Sequence, residues 1–391
     1  MHANLDPIHD DRSSMKNDPA PNPTLDAMLA AQRIAFAPVM FQVARVMRNR
    51  GVLRALQRAG KRGRTPAEVA QATGLSAYAA KTLLEASLSF GLVERAGDAS
   101  GANVHAEPRE RGERYKITRV GVIVENDRMT RINMDFIHDV CYEGMRFLDE
   151  AIEGGKPAGL KVFGEWPTVY EALPALPPKV RESWFAFDHL YSDSAFPEAL
   201  PLVFERRPRT LLDIGGNTGR WAIQCCTHDP DVRVTLLDLP GQLEDARVNV
   251  EQHGLLGRIV GTPIDFLDHG QAFPTGFDAI WMSQFLVCFS EPDIVQILRR
   301  AASAMGDETV LWILDTFWDR QTNEVAVHCL HGSSLYFTCL ANGNSRMYSA
   351  ADIRRCIDEA GLVVEAETDH LGLAHRLLRC RRRDAPAGKR A

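Results

Sequence analysis

The spacing of hydrophobic positions changes twice along this chain. Between residues 25 and 56 they recur at helical intervals (Met28, Leu29, Ile34, Ala35, Met40, Phe41, Met47, Leu53), which predicts two helices broken near Pro38 and Gly51. Thr65 then reads as a helix cap, with Pro66 at the first helical position and Glu68 completing a capping box. Gly74 stops that helix and Ser76 caps a second, which runs through Leu83, Leu84 and Leu88 to Gly91. Two short strand patterns, 92–95 and 115–118, flank a polar, glycine-rich stretch. A helix, a tight turn, a second helix and two strands make a winged helix. Residues 120–200 are mostly helical in pattern and rich in aromatics. After Pro208 short apolar runs alternate with helices, as in a parallel α/β sheet. The strand candidates are 210–214, 233–237, 259–263, 277–282, 310–314 and 376–379.

This pattern divides the chain into a disordered leader (1–23), a winged-helix domain (24–119), a helical segment (120–200), a doubly wound α/β domain (201–381) and a disordered tail (382–391). A chain of 391 residues exceeds one ordinary core. A net charge of -6 argues against a protein that coats nucleic acid. No apolar run reaches the roughly 18 residues of a membrane span, and no signal peptide opens the chain, so cytoplasm is the default. The eight cysteines show no CxxC pair, which favours reduced thiols.

The strongest chemical signal is Leu211-Leu212-Asp213-Ile214-Gly215-Gly216-Asn217-Thr218-Gly219, a buried strand running into a glycine-rich turn and then a helix. Glycines there let backbone pass close to a ligand. Asp238 ends the second strand about 20 residues later, where a ribose-binding carboxylate belongs in such a fold. Asp265-Phe266 ends the third strand, where a carboxylate and a ring could grip an adenine. A helix cap is the bland alternative for both aspartates. Ser283, just past the fourth strand candidate, joins this cofactor set with Leu239. A nicotinamide enzyme would show G-x-G-x-x-G and room for a pyrophosphate. Asp213 would repel a pyrophosphate but suits a cationic amino-acid group, so charge favours S-adenosylmethionine.

The chain resembles the small-molecule O-methyltransferases with a winged-helix dimerisation domain, of the caffeate, hydroxyindole and polyketide-tailoring type. Residues 213–219 are similar to that family's D-x-G-G-G-T-G loop, with Asn217 in place of the middle glycine. Asp238-Leu239-Pro240 resembles its D-L-P, and Ile264-Asp265-Phe266 stands where it has G-D-x-F. The resemblance implies a Rossmann-like methyltransferase domain preceded by a mostly α winged-helix dimerisation domain, S-adenosylmethionine as cofactor, a small aromatic acceptor walled by residues 120–200, and an intertwined homodimer. One motif departs. Where the family has L-H-D-W-S-D-E, this chain has Leu286-Val287-Cys288-Phe289-Ser290-Glu291-Pro292. Val287 replaces the general-base histidine and cannot accept a proton.

Without that histidine, catalysis can still draw on alignment of donor and acceptor, worth up to roughly 7–11 kcal/mol. A base would add about 10²–10⁴-fold. The remaining candidates are His138 and Tyr142, which share a helix face with Asp135 and Arg146; His189, beside Asp188; and His328, followed at three residues by His331. No Cys or carboxylate partner stands at ligand spacing from the latter pair, so no metal is expected.

Three functions stay open: O- or C-methylation of a phenolic or polyketide-like acceptor; a cofactor-retaining homologue that decarboxylates or hydroxylates; and a winged-helix regulator using the arginines of 33–65 on DNA phosphates. The helix that would enter the groove, 77–89, offers only Tyr78, Lys81 and Glu85 as polar readers. Nucleic acid is therefore not the expected partner.

Overall fold

A computed structural model describes residues 22–96 and 113–384. The chain forms two compact units, residues 1–131 and 132–391, so the helix Arg119–Asn126 belongs with the first unit rather than the second. The expected leader, apart from residues 22 and 23, lies outside the described residues, as do the stretch between the two strands of the wing and residues 385–391 of the tail.

In the first unit, Asn22 caps the helix Pro23–Ala35 through hydrogen bonds accepted from the amides of Thr24 and Leu25. The helix Ala37–Asn49 comes next, bent by 66° from the first. The break falls at Phe36, not Pro38: proline sits in the first turn of the second helix, where its missing N–H removes no bond. The expected break at Gly51 stands, with that residue left-handed and a third helix, Val52–Ala59, burying Val52, Leu53, Ala55 and Leu56. Thr65 and Glu68 cap each other reciprocally at 3.2 and 2.9 Å, starting Pro66–Thr73. Such a cap contributes about 1 kcal/mol. Ser76 caps Ala77–Leu88. Strands β1 (Val93–Arg95) and β2 (Tyr115–Ile117) pair antiparallel and complete the winged helix. The first two helices expose Leu25, Met28, Leu29, Ile34, Phe36 and Val39, each half exposed or more.

The second unit is built on a seven-stranded sheet. Its strands are β3 (Thr210–Ile214), β4 (Arg233–Asp238), β5 (Ile259–Pro263), β6 (Ala279–Ser283), β7 (Val310–Thr316), β8 (Leu362–Leu371) and β9 (His375–Arg382). Their order is β5-β4-β3-β6-β7-β9-β8, all running in one direction except β9, which pairs antiparallel with both of its neighbours. All six expected strands form. β6 is shifted to end on Ser283, and β7 runs on to Thr316. β9 reaches Arg382, so the tail begins later than expected. β8 is not among the sequence candidates, because it is a polar edge strand whose register slips twice and therefore shows no clean alternation.

Side chains alternate across the central strands into two cores. Leu212, Ile214, Ile280, Met282, Leu311 and Ile313 fill one face; Leu211, Val234, Leu236, Trp281, Trp312 and Leu314 fill the other. On the second face Trp221 stacks on Trp281 at 3.9 Å. From β3 the chain proceeds outward through β4 to β5, then returns to β6 on the opposite side of β3. That reversal opens a crevice at the carboxyl ends of the strands, where open α/β sheets bind ligands.

Candidate active site

The crevice holds a large pocket, and its two sides are built differently. On the β3-β4-β5 side the backbone dominates. Gly215 has φ +72°, and a Cβ there would collide with the Phe285 ring. Asn217, also left-handed at φ 48°, occupies a conformation that asparagine tolerates better than most residues, which explains how it can replace a glycine. Gly219 leads into the helix Arg220–His228. The main-chain N–H of Asn217 donates to Asp238 Oδ2 at 2.8 Å, and that of Leu239 to Asp238 Oδ1 at 2.7 Å. Burial still pushes the Asp238 carboxyl up to about 6, against those two bonds.

Asp213 lies at the end of β3, 2% exposed. Its Oδ2 has no hydrogen-bond partner. Burial, reinforced by the charge of Asp238, holds its carboxyl well above the usual carboxylate range. An unpaired buried acceptor of this kind costs about 1–3 kcal/mol, more if charged. Asp265 is exposed and accepts from the Leu267 amide at 2.9 Å. Phe266 is buried in edge-to-face contact with Phe273, Phe285 and Phe289. Ser283 lines the pocket with its hydroxyl buried and unpaired. All of the expected cofactor residues except Gly219 line this one pocket, and Gly219 closes its turn, donating its N–H to Gly216 O at 2.8 Å.

On the β6-β7 side the lining comes from side chains of distant segments. The helix Pro178–Asp193 brings Trp184, Phe187 and Asp188; the helix Glu324–Tyr336 brings Leu330, Ser333 and Tyr336; β7 ends in Asp315 and Thr316. Trp184 Nε1 donates to the Tyr336 hydroxyl at 2.6 Å, tying the two helices together. Asp188 accepts from Asn217 Nδ2 at 2.9 Å. Burial and the neighbouring Asp193 raise the Asp188 carboxyl to about 7, opposed by Asn217 and Arg220. Asp315, 3% exposed, is raised to about 7 by burial, opposed only by the Thr316 N–H it accepts at 2.8 Å. The Tyr170 side chain is half-buried with its hydroxyl oxygen buried, and that hydroxyl is pushed up by burial and then by Cys288.

The candidate bases are scattered. His189 lines the pocket, but its Nε2 sits 3.2 Å from Thr218 Oγ1, beside the glycine turn rather than at the β6-β7 side. Burial lowers it to about 4, so it is neutral and weakly basic. His138 and Tyr142 lie at a π-helical segment, Ile137–Cys141, and its C-cap, outside the pocket lining; His328 is exposed on its helix, also outside it. Val287 is 5% exposed in an apolar cluster with Val140, Trp184, Leu330 and Phe337. The Cys288 thiol donates to Gln284 O at 3.7 Å, and burial raises it. Among the described residues no group of three or more His, Cys, Asp or Glu is placed to hold a metal ion. The residue sequence reasoning missed is Asp315. Its signal was present: an aspartate ending a fully apolar strand, as Asp213 and Asp238 do.

Two family models match this chain. The Dimerisation2-like domain covers residues 28–99 and the O-methyltransferase domain residues 199–363. The chain belongs to the S-adenosylmethionine-dependent O-methyltransferase family. Among its relatives, this methyltransferase is 24% identical to the L-tyrosine C(3)-methyltransferase of Streptomyces lavendulae over 278 residues, 70% of this chain and 75% of the relative. It is 25% identical to the aclacinomycin 10-hydroxylase RdmB of Streptomyces purpurascens over 210 residues, 53% of this chain and 54% of that one. In fold it matches the O-methyltransferase NcsB1 from neocarzinostatin biosynthesis, solved with S-adenosylmethionine and 2-hydroxy-5-methyl naphthoic acid. The TM-score is 0.59, at 22% identity, covering 88% of this chain and 96% of that chain. Among the described residues of this methyltransferase no single helix is long and apolar enough to cross a membrane; the bent pair Pro23–Ala35 and Ala37–Asn49 passes by length and composition only.

Proposed function

We propose that this enzyme methylates a small aromatic acceptor, at oxygen or carbon, from S-adenosylmethionine and without a histidine base. The observation that carries the reading is the unpartnered, buried Oδ2 of Asp213 beside a second buried carboxylate, Asp238. Two buried carboxyls side by side, one of them with an oxygen left without a partner, call for a cationic occupant. The residues fit the cofactor: Asp213 would hold its ammonium, Asp238 its ribose hydroxyls, Asp265 and Phe266 its adenine, with Ser283 and Leu239 closing the sides. Bound there, it supplies an electrophilic methyl group on a sulfonium.

The chain's own contribution is then positional. Trp184, Phe187 and Tyr336 offer ring faces and edges to a flat acceptor, and the Trp184–Tyr336 hydrogen bond fixes their wall. The dry surround of Val287 excludes water from the transfer. Alignment of this kind supplies most of the acceleration where the leaving group is already good. By analogy with its family the enzyme is a cytoplasmic homodimer, and the apolar residues exposed on its first two helices supply a self-complementary surface.

Calorimetric titration with S-adenosylmethionine tests the reading, with NADH as control and Asp238→Ala as the disabled variant. Micromolar binding lost in the variant is expected, together with products heavier by one methyl group and a dimer in sedimentation. Absence of binding would overturn it. One relative's name, a hydroxylase, and the loss of the histidine at Val287 favour a second reading, in which the cofactor is kept but another reaction is run. Products without an added methyl group would select it.

A further inference from the structure

The charges lining the pocket are lopsided. Seven carboxylates face it, against one guanidinium, Arg220. Arg220 stands at the start of the helix after the glycine turn, on the cofactor side, and is ion-paired with Asp193. His189 on the same side is neutral at physiological pH. Around the β6-β7 half there is no lysine, arginine or histidine among the described lining residues. Two carboxylates are there instead: Asp188 on one wall and Asp315 at the end of β7. Asp315 is nine-tenths buried and more, with a single backbone N–H as partner and no cation acting on it.

We propose that the acceptor is an aromatic compound without an anionic group, a neutral phenol or an amine-bearing ring, and that Asp315 is the residue that excludes carboxylates. The inference rests on the methyltransferase reading of this pocket. Electrostatics drives it: a carboxylate entering the β6-β7 half would lose its water with no lysine or arginine beside Asp315 to replace it, and would meet the buried Asp315 and the half-buried Asp188, which turn anionic as pH rises through about 7. Like charges brought together in a desolvated site are strongly disfavoured. A phenol hydroxyl or an ammonium, in contrast, donates to the same carboxylates.

The test uses the full-length protein saturated with S-adenosylhomocysteine at neutral to slightly alkaline pH, titrated with two ligands of one ring system, 2-naphthol and 2-naphthoate. Naphthol is expected to bind tighter by about tenfold or more. Asp315→Asn should shrink that ratio by relaxing the rejection of naphthoate, while its affinity for S-adenosylhomocysteine stays as in the parent. Should Asp315→Asn not fold, the two-ligand ratio of the parent stands by itself, and Asp188→Asn, which also touches the glycine turn through Asn217, is read on that ratio alone. Equal or tighter binding of naphthoate, an unchanged ratio in a folded Asp315→Asn, or failure of both rings to bind the loaded protein would each overturn the proposal alone. Failure to bind S-adenosylhomocysteine would instead bring down the methyltransferase reading beneath it.

Discussion

The two sides of the pocket solve the same problem, holding a small molecule, by different means. On the β3-β4-β5 side the geometry is set by main chain: a turn with three left-handed residues, Gly215, Asn217 and Gly219, and amides that fix Asp238 from two directions. On the β6-β7 side it is set by side chains from four segments far apart in sequence, joined by hydrogen bonds such as Trp184 to Tyr336. The first kind of site tolerates little change in backbone. The second can be remodelled one side chain at a time, which suits a family whose relatives act on different compounds.

The largest effect should come from forcing a side chain into the turn. Gly215→Val demands a left-handed β-branched residue and drives it into Phe285. Affinity for S-adenosylmethionine is expected to fall about 100-fold or more by calorimetry, with a lower Tm, and a variant that binds normally would erase the distinction between the two sides. Asp213→Asn comes next and separates binding from stability. It removes a buried carboxyl whose Oδ2 has no partner, so the ligand-free protein should gain Tm, while cofactor affinity drops roughly tenfold or more for want of the charge. A loss of both together would mean that Asp213 supports the fold rather than the ligand.

The same contrast explains which parts were legible in the sequence. A turn that needs left-handed residues leaves glycines in a row, and strands buried on both faces leave unbroken apolar runs ending in an aspartate. Both are local, so residues 213–219, Asp238 and six strands can be read directly. The β6-β7 half has no local signature. Trp184 and Tyr336 meet across 152 positions, and nothing near either names the other. His138, Tyr142 and His328 stand out by residue type and helical spacing, which cannot tell a pocket wall from a surface. Asp315 escaped notice although it obeys the strand-end rule. The edge strand β8 escaped for the opposite reason, since two irregularities and a polar surface erase its period.

A pH series sharpens the comparison on the side-chain half. Asp188 and Asp315 have folded values of about 7, above the ordinary value of an unfolded chain, so folding favours their protonated forms. The stability they contribute is fully present below the unfolded value near 3.9 and is lost as pH rises through about 7. Histidines lowered by burial, His189 and His375, act in the reverse sense, but only below their unfolded value near 6.5. Between about pH 6.5 and 8 the raised carboxyls therefore set the slope, Asp188 and Asp315 each worth on the order of 1 kcal/mol, with Asp213 and Asp238 acting in the same sense. The ligand-free protein should lose several degrees of Tm across that window, and the Asp188→Asn, Asp315→Asn double variant should lose less, keeping the part that Asp213 and Asp238 contribute. An identical slope in the double variant would place these groups in contact with water.

The smallest expected effect joins the two halves. Asn217 belongs to the turn through its backbone and to the acceptor wall through its side chain, which donates to Asp188. Asn217→Gly keeps the left-handed backbone without strain and keeps the N–H that binds Asp238 at 2.8 Å. What it loses is one hydrogen bond and some rigidity in the unfolded chain, together about 1–2 kcal/mol. Cofactor affinity should therefore weaken by less than about tenfold. Acceptor KM should rise more than cofactor KM, because the bond removed is the one that steadies Asp188 on the wall. With its donor gone, the Asp188 carboxyl should also move higher still, steepening the fall of Tm with pH. If Asn217→Gly instead abolished cofactor binding as Gly215→Val does, the turn would depend on a side chain after all, and the division between a backbone-built and a side-chain-built half would not hold.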